Sequence, residues 1–370
     1  MKKITIVLLI ASVLAPAAGT SAADTRVGGS LYAHWMMDLS DDAESFNEFE
    51  LTRAYIDIRS KLSDYTSVRL TTDLRSSEVD GSEVYNIILK YAHIDWKPAF
   101  ANGVMTFRLG LQPTPYIDMM NKLWNRRYIV RTIGDDRKFL TSADAGAGLI
   151  FDLGKEGKSG HFTANVWNGT SYSDIEEMNK QKDFSAFIYL TPLADNPDLE
   201  RSAFQAQAYI GTQNEEIGTL LLDDGVTEVE LEGTDYERTL FSFGGLLAYR
   251  NTFDVGVDVN FLKEGQGRSE VDGTALDDVS QRGLSFFSTL YLGDLVAADS
   301  PLRTINLFAR VDMHDPDTDI DDNGSTLIIG GVECAPVKGF KASVNVRSES
   351  YQAENVDSDT YLFFNTLFKF

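Results

Sequence analysis

The chain has 370 residues, with 56 acids against 33 bases and four histidines, so its formal net charge is −23. That acidic balance excludes the basic footprint by which a protein holds nucleic acid. Cys334 is the sole cysteine, which excludes a disulfide framework and a thiolate zinc site.

The N-terminus has the three-part pattern of a secretory signal peptide. Lys2 and Lys3 precede an apolar run from Ile4 to Ala18, and the small residues of GTSAA follow. Cleavage is expected after Ala23, leaving residues 24–370 as a single exported domain with 31 bases against 56 acids, a charge of −25. The apolar run is shorter than the ~20 residues a membrane-spanning helix needs. No other long apolar run follows it.

From Asp24 onward the sequence reads as strand after strand. Val68, Leu70, Thr72 and Leu74 alternate with Arg69, Thr71, Asp73 and Arg75, the period of two of a strand with one apolar and one polar face. Val255, Val257, Val259 and Phe261 oppose Asp254, Gly256, Asp258 and Asn260 in the same way. Ala342, Val344 and Val346 oppose Lys341, Ser343, Asn345 and Arg347. Sixteen such runs begin near residues 26, 46, 64, 83, 103, 143, 160, 182, 202, 237, 252, 281, 302, 325, 339 and 359. Many reach the ~10 residues that cross a bilayer at a tilt.

The connections alternate in length. SKLSD, KPAFANG, GKEGKS, YRNT and APVKG are short, whereas NEEIGTLLLDDGVTEVELEGTD and KEGQGRSEVDGTALDDVS are long and acidic. A transmembrane barrel with tight periplasmic turns and long outer loops predicts this asymmetry, and aromatic girdles account for the aromatics at many strand ends. The last ten residues, YLFFNTLFKF, put Leu362, Phe364, Phe368 and Phe370 on one face and end the chain on Phe. The predicted fold is all-β, an antiparallel transmembrane β-barrel of about 16 strands.

The terminal strand resembles the C-terminal signature of bacterial outer-membrane barrels, and the chain as a whole resembles an outer-membrane porin. FNEFELTRAYIDIRSKLSDYTSVRLTTDLR and FRLGLQPTPY carry a narrower resemblance to the phosphate-selective porin group. The resemblance implies a multi-pass barrel in the cell outer membrane, in contact with lipid and lipopolysaccharide. It also implies a homotrimer, passive diffusion of small hydrophilic solutes or anions, and recognition of Phe370 by the barrel-assembly machinery. Finally, it implies that the loop after the fifth strand folds inward and narrows the channel.

That loop spans residues 112–140, the longest connection, and PTP breaks the strand before it. Lys122, Arg126, Arg127, Arg131, Arg137 and Lys138 outnumber Asp118, Asp135 and Asp136. Charged rings at a constriction set ion selectivity, so Arg126, Arg127, Arg131, Arg137 and Lys138 are the candidate anion-selecting residues. The opposing reading is that Met119, Met120, Leu123, Trp124, Tyr128, Ile129, Val130 and Ile133 pack the loop on the wall, with its arginines only pairing lumenal acids. Alternation places Arg53, Arg59, Arg69, Arg75, Arg108, Arg310 and Arg347 on the lumenal face as candidate pore-wall bases, diluted by Asp254, Asp258 and Asp312. If facing residues in the second and third strands sum to 126, Arg53 opposes Asp73 and Asp57 opposes Arg69, leaving Arg59 and Arg75 less compensated.

Asp319, Asp321 and Asn323 alternate before Gly324 like the start of a calcium loop, but the twelfth position is Gly330 rather than a bidentate Glu. Bound Ca2+ in the outer loops is therefore one reading and a solvated acidic loop the other; no cofactor is required. No GxSxG, HExxH or phosphate-loop motif is present, and His34, His93, His161 and His314 are scattered. No catalytic residue is assigned. The alternatives to a porin are a barrel enzyme of the phospholipase type, with one His beside a Ser, and a closed structural or adhesive barrel.

Overall fold

The computed structural model describes residues 24–41, 43–79 and 82–370; the expected signal peptide, residues 1–23, lies outside them. In chain order the strands are β1 (Asp24–Asp38), β2 (Asn47–Lys61), β3 (Thr66–Val79), β4 (Ser82–Trp96), β5 (Met105–Pro113) and β6 (Ala143–Leu153). Next come β7 (Gly160–Trp167), β8 (Asp183–Leu190), β9 (Ala203–Thr212), β10 (Thr219–Leu221), β11 (Glu228–Glu230) and β12 (Glu237–Tyr249). The remainder are β13 (Phe253–Glu264), β14 (Val279–Tyr291), β15 (Ile305–Asp315), β16 (Ser325–Val337), β17 (Phe340–Tyr351) and β18 (Asp359–Lys369). Sixteen of them pair antiparallel with their chain neighbours, and β1 pairs β18 to close the barrel. Every one of the sixteen expected runs is a barrel strand, starting within three residues of its expected position. The separate hairpin β10–β11 lies inside what the sequence showed only as a long acidic connection.

The alternation sorts side chains as the pleat requires. Val255, Phe261, Phe286, Ile328 and Phe364 stand exposed on the outer face, while Asp254, Asp258, Asn260, Asp312, Asn345 and Asn365 are buried on the inner one. An outer band of large apolar side chains over a polar interior matches lipid outside and water inside. The protein is a multi-pass β-barrel of the outer membrane.

The first and last strands meet at one rim, where the backbones of Gly29 and Phe370 exchange two hydrogen bonds of 3.0 and 3.1 Å. The expected short turns lie at this rim, which is therefore the periplasmic one. Two of its connections, between Thr191 and Ser202 and between Leu292 and Thr304, are longer than that rule anticipates.

The register of β2 on β3 corrects the expectation. Ala54 faces Leu74 and Arg59 faces Arg69, so facing numbers sum to 128, not 126. A slip of two residues keeps every side chain on its own face, so the apolar pattern could not choose between the registers. The ion pairs form all the same, because long side chains reach diagonal neighbours. Arg53 lies 3.3 Å from Asp73, and Arg69 lies 2.7 Å from Asp57. Arg59, expected to be less compensated, shares Asp57 at 2.6 Å. The side chain of Arg75 lies outside the described residues.

Along β1 to β4, bulges change parity at two places. Opposite Tyr32 and Ala33, the register skips Thr52, so Glu50 reaches the lumen while Phe49 and Leu51 remain outward. Opposite Thr71 and Thr72 it skips Lys90, so Lys90 and Tyr91 both face inward, against outward Leu89 and Ile94.

If the outer band faces lipid, Val257→Arg on β13 should cost about 2–4 kcal/mol of folding stability in vesicles by urea titration. A cost no larger than that of Val257→Ala would show that this face does not meet lipid.

Candidate channel constriction

Between β5 and β6 the chain turns into the lumen. Pro115, at a position where a missing N–H costs nothing, opens helix α1 (Pro115–Trp124), and Asp118 sits in the first turn. Asn125, in the left-handed conformation at φ 54°, ends it. After Thr132 a single turn, α2 (Ile133–Asp136), leads back toward β6. The base of the loop is closed by the Thr114 hydroxyl donating to the Thr141 carbonyl at 2.6 Å.

The loop packs as a small core inside the barrel. Tyr116, Ile117, Met120, Trp124 and Ile133 are fully buried, and Trp124 meets Phe287 and Phe308 edge-on at 5.4 and 6.1 Å. Polar anchors run in both directions. From the wall, Arg310 donates to the Arg131 carbonyl at 2.7 Å, Arg347 to that of Ile129 at 2.6 Å and Arg238 to that of Phe139 at 2.7 Å. From the loop, Tyr116 donates to Asp258 at 2.7 Å, Arg126 to Thr289 at 2.8 Å and Tyr128 to Glu333 at 2.9 Å. Arg126 pairs Glu333 at 3.2 Å, and Arg137 pairs Glu349. These anchors lie on β12 to β17, so the loop is strapped to one half of the barrel.

Two of the cavities among the described residues lie against β1 to β4. One, of about 460 Å3, lies toward the periplasmic rim and is lined in part by Tyr55, Arg59, Arg69, Lys90, Tyr91 and Lys369. The other, of about 390 Å3, is lined in part by His34, Glu50, Arg53, Arg131, Asp136 and Arg347. Tyr32 and Arg127 line both. Arg127 donates to the Tyr55 hydroxyl at 2.7 Å, and Tyr55 meets the Tyr32 ring edge-on at 5.7 Å. This Tyr32–Tyr55–Arg127 group separates the two chambers.

Bases predominate along the two. Arg53, Arg59, Arg69, Lys90, Arg127, Arg131, Arg347 and Lys369 stand against Asp57, Asp118, Glu50 and Asp136. Of the loop candidates, Arg127 and Arg131 line this path. Arg126, 2% exposed, is buried against Glu333, Arg137 is held by Glu349, and exposed Lys138 lines neither chamber. Of the wall candidates, Arg53, Arg59, Arg69 and Arg347 line it. Arg310 is buried on Asp312 at 2.5 Å and under the loop, and Arg108 is paired to Asp95 at 2.7 Å. Lys90, Lys369 and the two tyrosines were missed. The Lys90 bulge was legible: outward Leu89 and Ala92 are three residues apart where a regular strand requires two.

No family model and no curated protein matches the sequence. The structure, however, is similar to many solved ones. They include the outer membrane channel DcaP of Acinetobacter baumannii, at 11% identity and TM-score 0.63, over 95% of this chain and 99% of that one. They also include OmpT, an outer-membrane protein of Vibrio cholerae, at 13% and 0.60 over 95% and 99%. The anion-selective porin of Comamonas acidovorans aligns at 10% and 0.59 over 94% and 100%. The fold is that of the outer-membrane porins and channels.

Among the described residues no group of three or more His, Cys, Asp or Glu is arranged for a metal ion. Asp319 and Asp321 are exposed, and the Asn323 amide donates to the Asp317 carbonyl at 3.0 Å. His34 lies on Glu50, His93 on the Leu111 carbonyl and His314 on Gln281, while His161 packs on Phe187 and Tyr189.

Burial by itself would raise the Asp135 carboxyl, but Arg127, Lys90 and Arg131 outweigh it and hold it below the usual carboxylate range. A depressed folded value contributes stability that is present above about pH 4 and lost as the pH falls further. Loss of the Asp135 pairs should therefore raise current noise from the loop as the pH falls below about 4 in bilayer recordings. Arg126→Ala removes one of the two cations on buried Glu333 and leaves it Lys341 at 3.4 Å. It should cost about 1.5–3 kcal/mol, read by denaturant titration, without changing the sign of ion selectivity.

Proposed function

We propose that the protein is a porin for passive diffusion of small hydrophilic solutes and ions, with a preference for anions. The path runs between the inward loop and the β1–β4 wall. One observation carries this reading: eight bases against four side-chain acids line two chambers that share Arg127. Selectivity is set where an ion sheds water, at the narrowest point. Charge at the acidic outer loops is screened within roughly 8 Å at physiological salt. The acidic whole and the basic path are therefore compatible.

Phosphate belongs among the anions that such a path would carry, as the resemblance implies. A dedicated phosphate ladder is a different matter, because Arg126, Arg137 and Arg310 are spent on anchoring the loop. Assembly as a homotrimer, contact with lipopolysaccharide and reading of Phe370 by the barrel-assembly machinery complete the proposal. Phe370 is 73% exposed at the rim, open to such a reader.

Zero-current potentials across a planar bilayer in a KCl gradient test the reading. Anion preference is expected, and the double variant Arg127→Ala with Arg131→Ala should lower the anion-to-cation permeability ratio several-fold. Cation preference in the unmodified protein would overturn the proposal.

A further inference from the structure

We infer that the periplasmic-side chamber is a saturable binding site for aromatic carboxylates. This rests on the anion-preferring reading and names a solute class for it.

The argument begins with Lys90. The bulge in β4 turns it inward, and it is only 3% exposed. Its ammonium has three donors, yet its polar partners are the Ser142 hydroxyl at 3.3 Å and the Asp73 carboxylate at 3.9 Å. Tyrosine rings supply the rest of its surroundings, with Tyr172, Tyr55 and Tyr91 centred 4.6, 5.3 and 5.8 Å away. Asp73 is already engaged by Arg53 at 3.3 Å, and Asp135 by Arg127 at 3.3 Å. Three cations thus stand around two carboxylates. On the same wall Arg59 and Arg69 share Asp57.

Uncompensated charge out of water is costly, and an entering anion relieves it. Lys90 and Arg127 both line this chamber. A carboxylate between them would gain charge-assisted hydrogen bonds. The wall then favours one kind of carboxylate. Tyr32, Tyr55, Tyr91 and Ile117 give the lining aromatic and aliphatic surface, and about 460 Å3 is ample for a benzene ring. An arene gains apolar burial and ring contacts that acetate and inorganic phosphate cannot make.

The test uses the mature protein in planar bilayers at fixed ionic strength, with sodium benzoate, acetate or phosphate added to KCl. Benzoate should reduce single-channel current saturably, at a half-saturating concentration about tenfold below those of acetate and phosphate, a difference of about 1.4 kcal/mol. Lys90→Met should raise the benzoate value about tenfold, and Lys90→Arg should restore it. If Lys90→Met does not insert, Arg69→Gln, in the same chamber, should weaken benzoate in the same direction. Equal block by benzoate and acetate, or tighter block by phosphate, in a channel that remains anion-selective would overturn this inference alone. Benzoate block unchanged by Lys90→Met would also overturn it. Cation preference would overturn it together with the reading on which it rests.

Discussion

Hydrocarbon offers the backbone no hydrogen-bond partner, so a chain that crosses it with strands must pair every edge. Pairing of β1 with β18 meets that demand and makes the sheet a closed wall. Closure at sixteen strands has a further consequence: the interior is too wide for side chains from the wall alone to fill it. What occupies that space then decides what the barrel does. Here the filling is the 29-residue connection between β5 and β6, which brings its own apolar core of Tyr116, Ile117, Met120 and Trp124.

An inward loop has backbone carbonyls with no strand beside them, and buried ones need donors. The wall supplies these from Arg238, Arg310 and Arg347, which reach the carbonyls of Phe139, Arg131 and Ile129. A permanently charged, planar donor on a long stem suits this task, since it can span from wall to loop and still engage an acid such as Asp312. Basic side chains in the lumen thus divide into two sets by what lies within reach. Those facing the docked loop from β12 to β17 hold it. Those on β1 to β4, together with Arg127, Arg131, Arg347 and Lys369, border open space.

This division explains how an acidic protein can present a basic path. The outer connections carry the acids, in exposed segments such as the β10–β11 hairpin, where water and salt weaken them. The path lies deep inside, beside a low-dielectric core, where each charge counts for more. Arg127 belongs to both sets: it pairs Asp135 within the loop, holds the loop to β2 through Tyr55, and borders both chambers.

The sequence by itself determined the barrel. Alternation such as that of Val255 to Phe261, sixteen runs, two classes of connection and a terminal Phe are local signals, and the pleat converts each directly into a wall with an apolar outside. The loop was legible too, from PTP and the length that follows. The partners of its charges were not. Arg126 and Arg127 are adjacent in sequence and of the same chemistry, yet one is buried on Glu333 and the other stands at the junction of two chambers. The register of β2 on β3 was likewise hidden, because a slip of two residues leaves the apolar pattern intact. Tertiary structure alone decided these matters, since which acid meets which base depends on strands more than 200 residues apart brought together only by closure of the barrel and docking of the loop.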